Sequence, residues 1–245
     1  MSPLPAILSA VILVSLISLV GIFFLGFSEQ LLTKLLMGLV GFSSGALIGT
    51  AFLHLLPHSL ELSHVDLAFQ LTILGIVLFF LMEKFLCWRH CHEGRCDVHS
   101  FAYLNLFGDG IHNFIDGMVI AASFLVTESL GVATTLAVIF HELPQEMGDF
   151  GVLVYAGIRK SKALAYNFLS ALTAVAGAVL TFYVSAFLQD LVTLLIPFTA
   201  GGFIYIAATD LMPQLHKKSS SKDALTQLTS IVLGLVLMWT LRATG

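Results

Sequence analysis

Charge is what this chain has least of. Only 11% of its 245 residues are Asp, Glu, Lys or Arg, against 58% hydrophobic, whereas a soluble domain carries about 25% charged residues. That deficit excludes a soluble globular protein and leaves no length for a sizeable soluble domain. The chain reads as one membrane-embedded unit over residues 1–245. Cysteine is also scarce, with three in all. Cys87, Cys91 and Cys96 fall on one side of the bundle, where free thiols are expected and not a disulfide framework. No basic patch with interleaved aromatics is present, which removes nucleic acid as a partner. No Lys or Arg precedes the first apolar run and no small-residue cleavage pattern follows it, so the first helix is expected to be a retained span. A net charge of −4 is too small to point to a partner by itself.

Long apolar runs are what the chain does have. Breaks at charged or Gly/Pro-rich points divide them into eight expected spans: Pro5–Phe27, Lys34–Pro57, Leu67–Trp88, Asn105–Val126, Leu130–Tyr155, Ala163–Leu188, Val192–Met212 and Leu225–Leu241. The fold class is therefore an all-α integral membrane protein with the lipid bilayer as its solvent. The connection at Thr127–Ser129 is so short that spans four and five must be antiparallel neighbours. The loops after spans one, three, five and seven hold Lys34, Lys84, Arg89, Arg95, Arg159, Lys160, Lys162, Lys217, Lys218 and Lys222, ten of the eleven basic residues. Only Arg242 lies opposite. The positive-inside rule then places those loops in the cytoplasm and both termini outside, in a plasma or inner membrane.

An internal repeat is expected between spans one to three and six to eight, around central spans four and five. A-F-L-H-L-L-P-H from Ala51 aligns with A-A-T-D-L-M-P-Q from Ala207, matching Leu55 with Leu211, Pro57 with Pro213 and Gly45 with Gly201. His54 and His58 correspond to Asp210 and Gln214. Because span two runs outward and span seven inward, the repeat is inverted, an arrangement that in transporters puts the site near the midplane.

Spans four and five hold the polar groups that need explaining. D-G-I-H-N-F-I-D-G runs from Asp109 to Gly117, and H-E-L-P-Q-E-M-G-D from His141 to Asp149. An Asp at the centre of a spanning helix costs on the order of 3 kcal/mol on insertion scales. Several such groups at one depth must face one another, water or a cation. Asp109, His112 and Asp116 share one helical face, with Asn113 beside it. His141, Gln145 and Asp149 form one row of span five, and Glu142 and Glu146 an adjacent one. Pro144 frees the carbonyl of Phe140, which a neighbour, water or an ion must satisfy. Imidazole with carboxylate is the ligand set of divalent transition metals such as zinc, iron and manganese. A network that merely joins helices is made at lower cost from Ser, Thr or Asn, and a proton relay without metal is the remaining alternative. H-E-x-x-Q departs from the metalloprotease pattern H-E-x-x-H at Gln145 and is interrupted by Pro144.

H-N-F-I-D-G at His112–Gly117 together with H-E-L-P-Q-E at His141–Glu146 resembles the paired signature of the ZIP (Zrt/Irt-like) metal transporters. H-L-L-P-H at His54–His58 and D-L-M-P at Asp210–Pro213 are similar to that family's second and seventh helices, nearest its LIV-1-like branch. The resemblance covers nearly the whole chain. It implies an eight-helix bundle with a binuclear metal centre on helices four and five. Carried over by motif position, His112, Asp116, His141 and Gln145 line the first metal site. Asn113, Glu142 and Glu146 line the second, with Glu142 able to bridge. Gln145 stands where the branch usually has His. The resemblance also implies uptake toward the cytoplasm by an elevator-like alternating-access motion, and frequently a homodimer. Zinc is the foremost expected cargo, with Fe2+, Mn2+, Cd2+ and Co2+ as further candidates.

Outside that centre, His54 and His58 lie at the outer end of span two, placed to collect cations at an entrance. The loop at 89–100 holds His90, Cys91, His92, Cys96 and His99, a thiolate and imidazole set suited to zinc, although its spacing fits no standard finger. Asn167 and Ser170 are read as helix-joining hydrogen-bond groups. A membrane-embedded metal-dependent hydrolase using an activated water is the competing enzyme reading, and the loops are too small for a sensor.

Overall fold

The computed structural model of the chain describes residues 2–20, 29–88, 98–188, 190–216 and 221–244. Among the described residues the chain forms eight helical rods. Helix α1 is Leu4–Ile17, ending in a 3-10 turn at Ser18–Val20. Helix α2 runs Glu29–Thr50, widens into a π turn at Ala51–Leu55, and resumes over Leu56–Leu62. Then follow α3 (Val65–Trp88), α4 (Val98–Val126) and α5 (Glu128–Tyr155). Helix α6 is Lys160–Ala171 continued by Thr173–Ser185. Helix α7 is Leu191–Tyr205 with a π turn at Ile206–Leu211 and a last segment at Met212–His216, and α8 is Ser221–Thr244. Among the described residues five stretches are able, by length and composition, to cross a bilayer: Lys34–Leu62, Val65–Lys84, Lys160–Ser185, Leu191–His216 and Asp223–Arg242. Helices α4 and α5 are not among them, because their middles hold the carboxylates, imidazoles and amides.

The inverted repeat has a physical form in the packing. Helix α2 lies against α8, and α7 lies against α3, so each half lends one helix to the other. The aligned glycines make these crossings. A Cβ on Gly45 would stand 2.1 Å from the carbonyl oxygen of Ile231 on α8, and one on Gly201 2.0 Å from that of Thr72 on α3. The approach is returned in both halves. A Cβ on Gly234 would stand 2.2 Å from Phe42 O, and one on Gly75 2.2 Å from Phe198 O. Phe42 and Phe198 each lie three residues before an aligned glycine. Close backbone approach at small residues is how helices associate where lipid supplies no hydrophobic drive.

The π turns fall at equivalent places as well. The N–H of Leu56 bonds Ala51 O, and that of Met212 bonds Ala207 O, five residues back in each case. Each turn ends two residues before a proline, Pro57 or Pro213, whose ring nitrogen carries no hydrogen to continue the ladder. Helices α3 and α8 form the outer walls, with Ile73, Phe80, Leu225 and Trp239 exposed on their outward faces. Several ends differ from the expected spans by a few residues, as at Glu29 and Leu62 of α2. Helix α4 begins about two turns before Asn105, and α6 is interrupted at Leu172. There the Thr173 hydroxyl bonds Ser170 O at 2.7 Å and Gly110 O of α4 at 2.6 Å, a side-chain competitor for the backbone ladder.

Candidate metal centre

The α4–α5 hairpin is set by one residue. Thr127 alone separates the two helices, and its hydroxyl caps α5 by accepting from Leu130 N at 3.0 Å. Its tightness brings Gly131 against the Phe124 ring, where a Cβ would stand 2.3 Å from the ring carbons. Further down, Pro144 leaves the Phe140 carbonyl without its helical donor, and Ser43 Oγ of α2 donates to that carbonyl instead. The freed group is thus satisfied by a neighbouring helix, and α5 continues unbroken to Tyr155.

Two clusters result. In the first, His112 and Asp116 of α4 meet His141 and Glu142 of α5, with one ligand atom of each lying within 4.8 Å of all the others. His141 Nε2 lies 3.2 Å from His112 Nε2 and 3.2 Å from Asp116 Oδ2. His112 Nε2 lies 3.7 Å from Asp116 Oδ2 and 3.5 Å from Glu142 Oε1. His141 Nε2 is 3.6 Å from Glu142 Oε1. A tetrahedral zinc with bonds of about 2.0–2.1 Å keeps its ligand atoms about 3.3 Å apart. The tautomer suits that use. His141 Nδ1 lies 3.1 Å from Ala137 O; a carbonyl only accepts, so Nδ1 carries the hydrogen and, in the neutral ring, Nε2 presents its lone pair to the cluster.

The second cluster is Asp109, Glu142 and Glu146, with one carboxylate oxygen from each within 4.8 Å of the others. Glu142 belongs to both. All of these side chains are buried: His112 is 8% exposed, Asp109 5%, and Asp116, His141, Glu142 and Glu146 2% or less. Yet Asp109 Oδ2, Asn113 Oδ1, Asp116 Oδ2, Glu142 Oε1 and both Glu146 carboxylate oxygens have no hydrogen-bond partner among the described residues. Buried acceptors left in that state are costly, and a cation is the species that satisfies several at once.

The remaining sequence candidates are placed as follows. Asn113 is fully buried and donates through Nδ2 to Asp109 O at 3.2 Å and Asp109 Oδ1 at 3.0 Å. Gln145 turns its amide nitrogen to Asp109 Oδ1 at 3.4 Å. Asn167 donates to Glu146 O at 3.1 Å and Ser170 to Leu106 O at 3.1 Å, so both join α6 to the central hairpin. His54 is not brought to either cluster: its Nε2 donates to Met238 O of α8 at 2.9 Å, and His58 Nδ1 donates to His54 O at 2.9 Å. His54→Ala is therefore expected to lower stability by about 1–2 kcal/mol through the lost α2–α8 bond, read as the thermal unfolding midpoint in detergent. His90, Cys91, His92 and Cys96 lie outside the described residues, and of His99 only the helical backbone is described. Sequence reasoning placed Asp109 on the polar face but gave it no ligand role. The signal was its spacing, one turn before His112.

Fold and site together define a polytopic helical membrane protein with a buried imidazole and carboxylate core on two adjoining helices. Residues 4–100 and 89–242 match the family model described as ZIP zinc transporter. The chain belongs to the ZIP zinc transporter family. It is 31% identical to zinc transporter zipt-7.1 of Caenorhabditis briggsae over 95% of this chain and 77% of that protein. It is 35% identical to zinc transporter ZIP13 of Pongo abelii over 82% of this chain and 65% of that protein. With IAA-alanine resistance protein 1 of Arabidopsis thaliana the identity is 46% over 58% of this chain, which spans only 31% of that relative. The two animal relatives are named as transporters, which sets the hydrolase reading aside.

Proposed function

We propose that the chain moves divalent transition metals, zinc foremost, into the cytoplasm by alternating access through the buried centre on α4 and α5. The observation that carries this reading is the set of two imidazole nitrogens and two carboxylate oxygens lying within 4.8 Å of one another, with five of the six separations at 3.2–3.7 Å, close to the spacing of a tetrahedral zinc shell. A hydrated ion would exchange its waters for these ligands one at a time, and no covalent chemistry is required of the protein. The inward direction is carried over from the resemblance to the ZIP transporters, and the asymmetry of basic residues supports an orientation with both termini outside. Helices α2 and α7, related by the inverted repeat, carry π turns at matching places and pack against α5 and α4, which supports a transporter that alternates access about a central site between repeats.

Uptake of radiolabelled zinc into proteoliposomes tests the reading. His112→Ala removes one of the two imidazoles and is expected to lower uptake by about tenfold or more. Uptake equal to wild type in both His112→Ala and Glu142→Ala would sink it.

A further inference from the structure

The two clusters differ in chemistry. The first presents two imidazoles, whereas the second presents oxygen alone, and Asp109 is the residue that makes it a three-carboxylate set. The two oxygens of Asp109 are not equivalent. Oδ1 accepts from Asn113 Nδ2 at 3.0 Å and from Gln145 Nε2 at 3.4 Å. Oδ2 is buried with no partner among the described residues. The amides that hold Oδ1 come from α4 and α5 respectively, so the carboxylate is pinned from both helices with its second oxygen left free. Asn113, fully buried, likewise keeps its own Oδ1 without a hydrogen-bond partner among the described residues while its nitrogen does the holding.

We propose that Asp109 is a metal ligand of the second position, fixed by Asn113 and Gln145, and that it sets a preference there for hard divalent ions over soft ones. This rests on the reading of the buried centre as the transport site. Gln145 is then a positioning residue for Asp109 and not a ligand of the imidazole position. Carboxylate and carbonyl oxygens suit Mn2+, while imidazole suits zinc and its softer congeners. The second position therefore discriminates in the opposite direction to the first.

The test is a binding titration of the purified full-length chain in detergent, with Mn2+ followed by electron paramagnetic resonance and Cd2+ by calorimetry. Wild type is expected to take up two ions per chain. Asp109→Asn, which keeps the side chain's shape, is expected to weaken Mn2+ by about tenfold or more and Cd2+ at the imidazole position by less than ~threefold. Asp109→Glu, which restores the carboxylate, is expected to recover Mn2+ binding. Equal shifts for the two ions, or none, in Asp109→Asn would overturn the assignment. Gln145→Met provides a second reading should Asp109→Asn not purify as a single species. A selective loss of Mn2+ affinity supports the positioning role, whereas a larger loss for Cd2+ returns Gln145 to the first site and overturns it. Zinc uptake indifferent to both His112→Ala and Glu142→Ala defeats the transporter reading itself. Uptake that depends on His112 beside an unchanged Mn2+ to Cd2+ ratio in Asp109→Asn defeats only this inference.

Discussion

Glu142→Gln is expected to reduce metal uptake by ~100-fold or more, since partners outside the coordination shell alone cost about 10–100-fold and Glu142 stands in both clusters. The substitution is nearly isosteric, so the helix keeps its shape. It replaces a buried carboxyl group whose Oε1 has no hydrogen-bond partner among the described residues. Exchanging that group for an amide of the same shape breaks no hydrogen bond at Oε1. The metal-free variant is therefore expected to unfold no more easily than wild type. Metal should separate the two proteins. Zinc at about 100 times its dissociation constant adds about 2.7 kcal/mol to a protein that binds it only when folded, and that increment is expected in wild type and lost in Glu142→Gln. A zinc-dependent rise in unfolding temperature surviving in the variant, together with residual uptake near the wild-type rate, would show that Glu142 holds no metal.

Gly117→Val is expected to destroy the bundle from within the same signature. A Cβ on Gly117 would lie 1.8 Å from the carbonyl oxygen of Ala174 on α6, and one on Gly177 2.0 Å from Phe114 O on α4. Both obstacles are backbone and neither is able to rotate away. The glycine after Asp116 is thus where α6 crosses the helix carrying His112 and Asp116. Overpacking of this kind costs about 3 kcal/mol or more, and separating α6 from α4 also strips the bond from Thr173 to Gly110 O. The expected result is little monodisperse protein on size-exclusion chromatography and a large drop in unfolding temperature. Gly148→Ala is the control. Among the described residues no atom lies within 4 Å of a Cβ built there, so alanine should be tolerated and gain about 0.5–1 kcal/mol of helix propensity. Equal behaviour of the two variants would refute a packing role for Gly117.

What could be read from sequence follows the size of each energetic penalty. Ionisable groups in an apolar helix are so costly that the stripe from Asp109 to Asp149 announces itself, and the one-residue turn at Thr127 brings its two halves together. The repeat was legible because Gly45, Gly201, Pro57 and Pro213 each perform a backbone task that few residues can, although the π turns preceding the prolines were not foreseen. Partners distant in sequence were the unreadable part. His54 bonds a carbonyl 184 positions away, and the Phe140 carbonyl freed by Pro144 is satisfied by Ser43 of α2; no local pattern encodes either. The direction of the Gln145 amide and the place of Asp109 beside Glu142 and Glu146 depend likewise on how α4 and α5 rotate against each other. That rotation is set by packing against α2 and α6.

The most direct measurement is zinc K-edge X-ray absorption on the purified chain loaded with one equivalent of zinc. Two imidazole nitrogens with carboxylate oxygens at about 2.0–2.1 Å, reduced in imidazole scattering by His112→Ala, are the predicted shell. A sulfur shell near about 2.3 Å that persists in Glu142→Gln would instead place the metal on the cysteines outside this centre, and would contradict a transport site on α4 and α5.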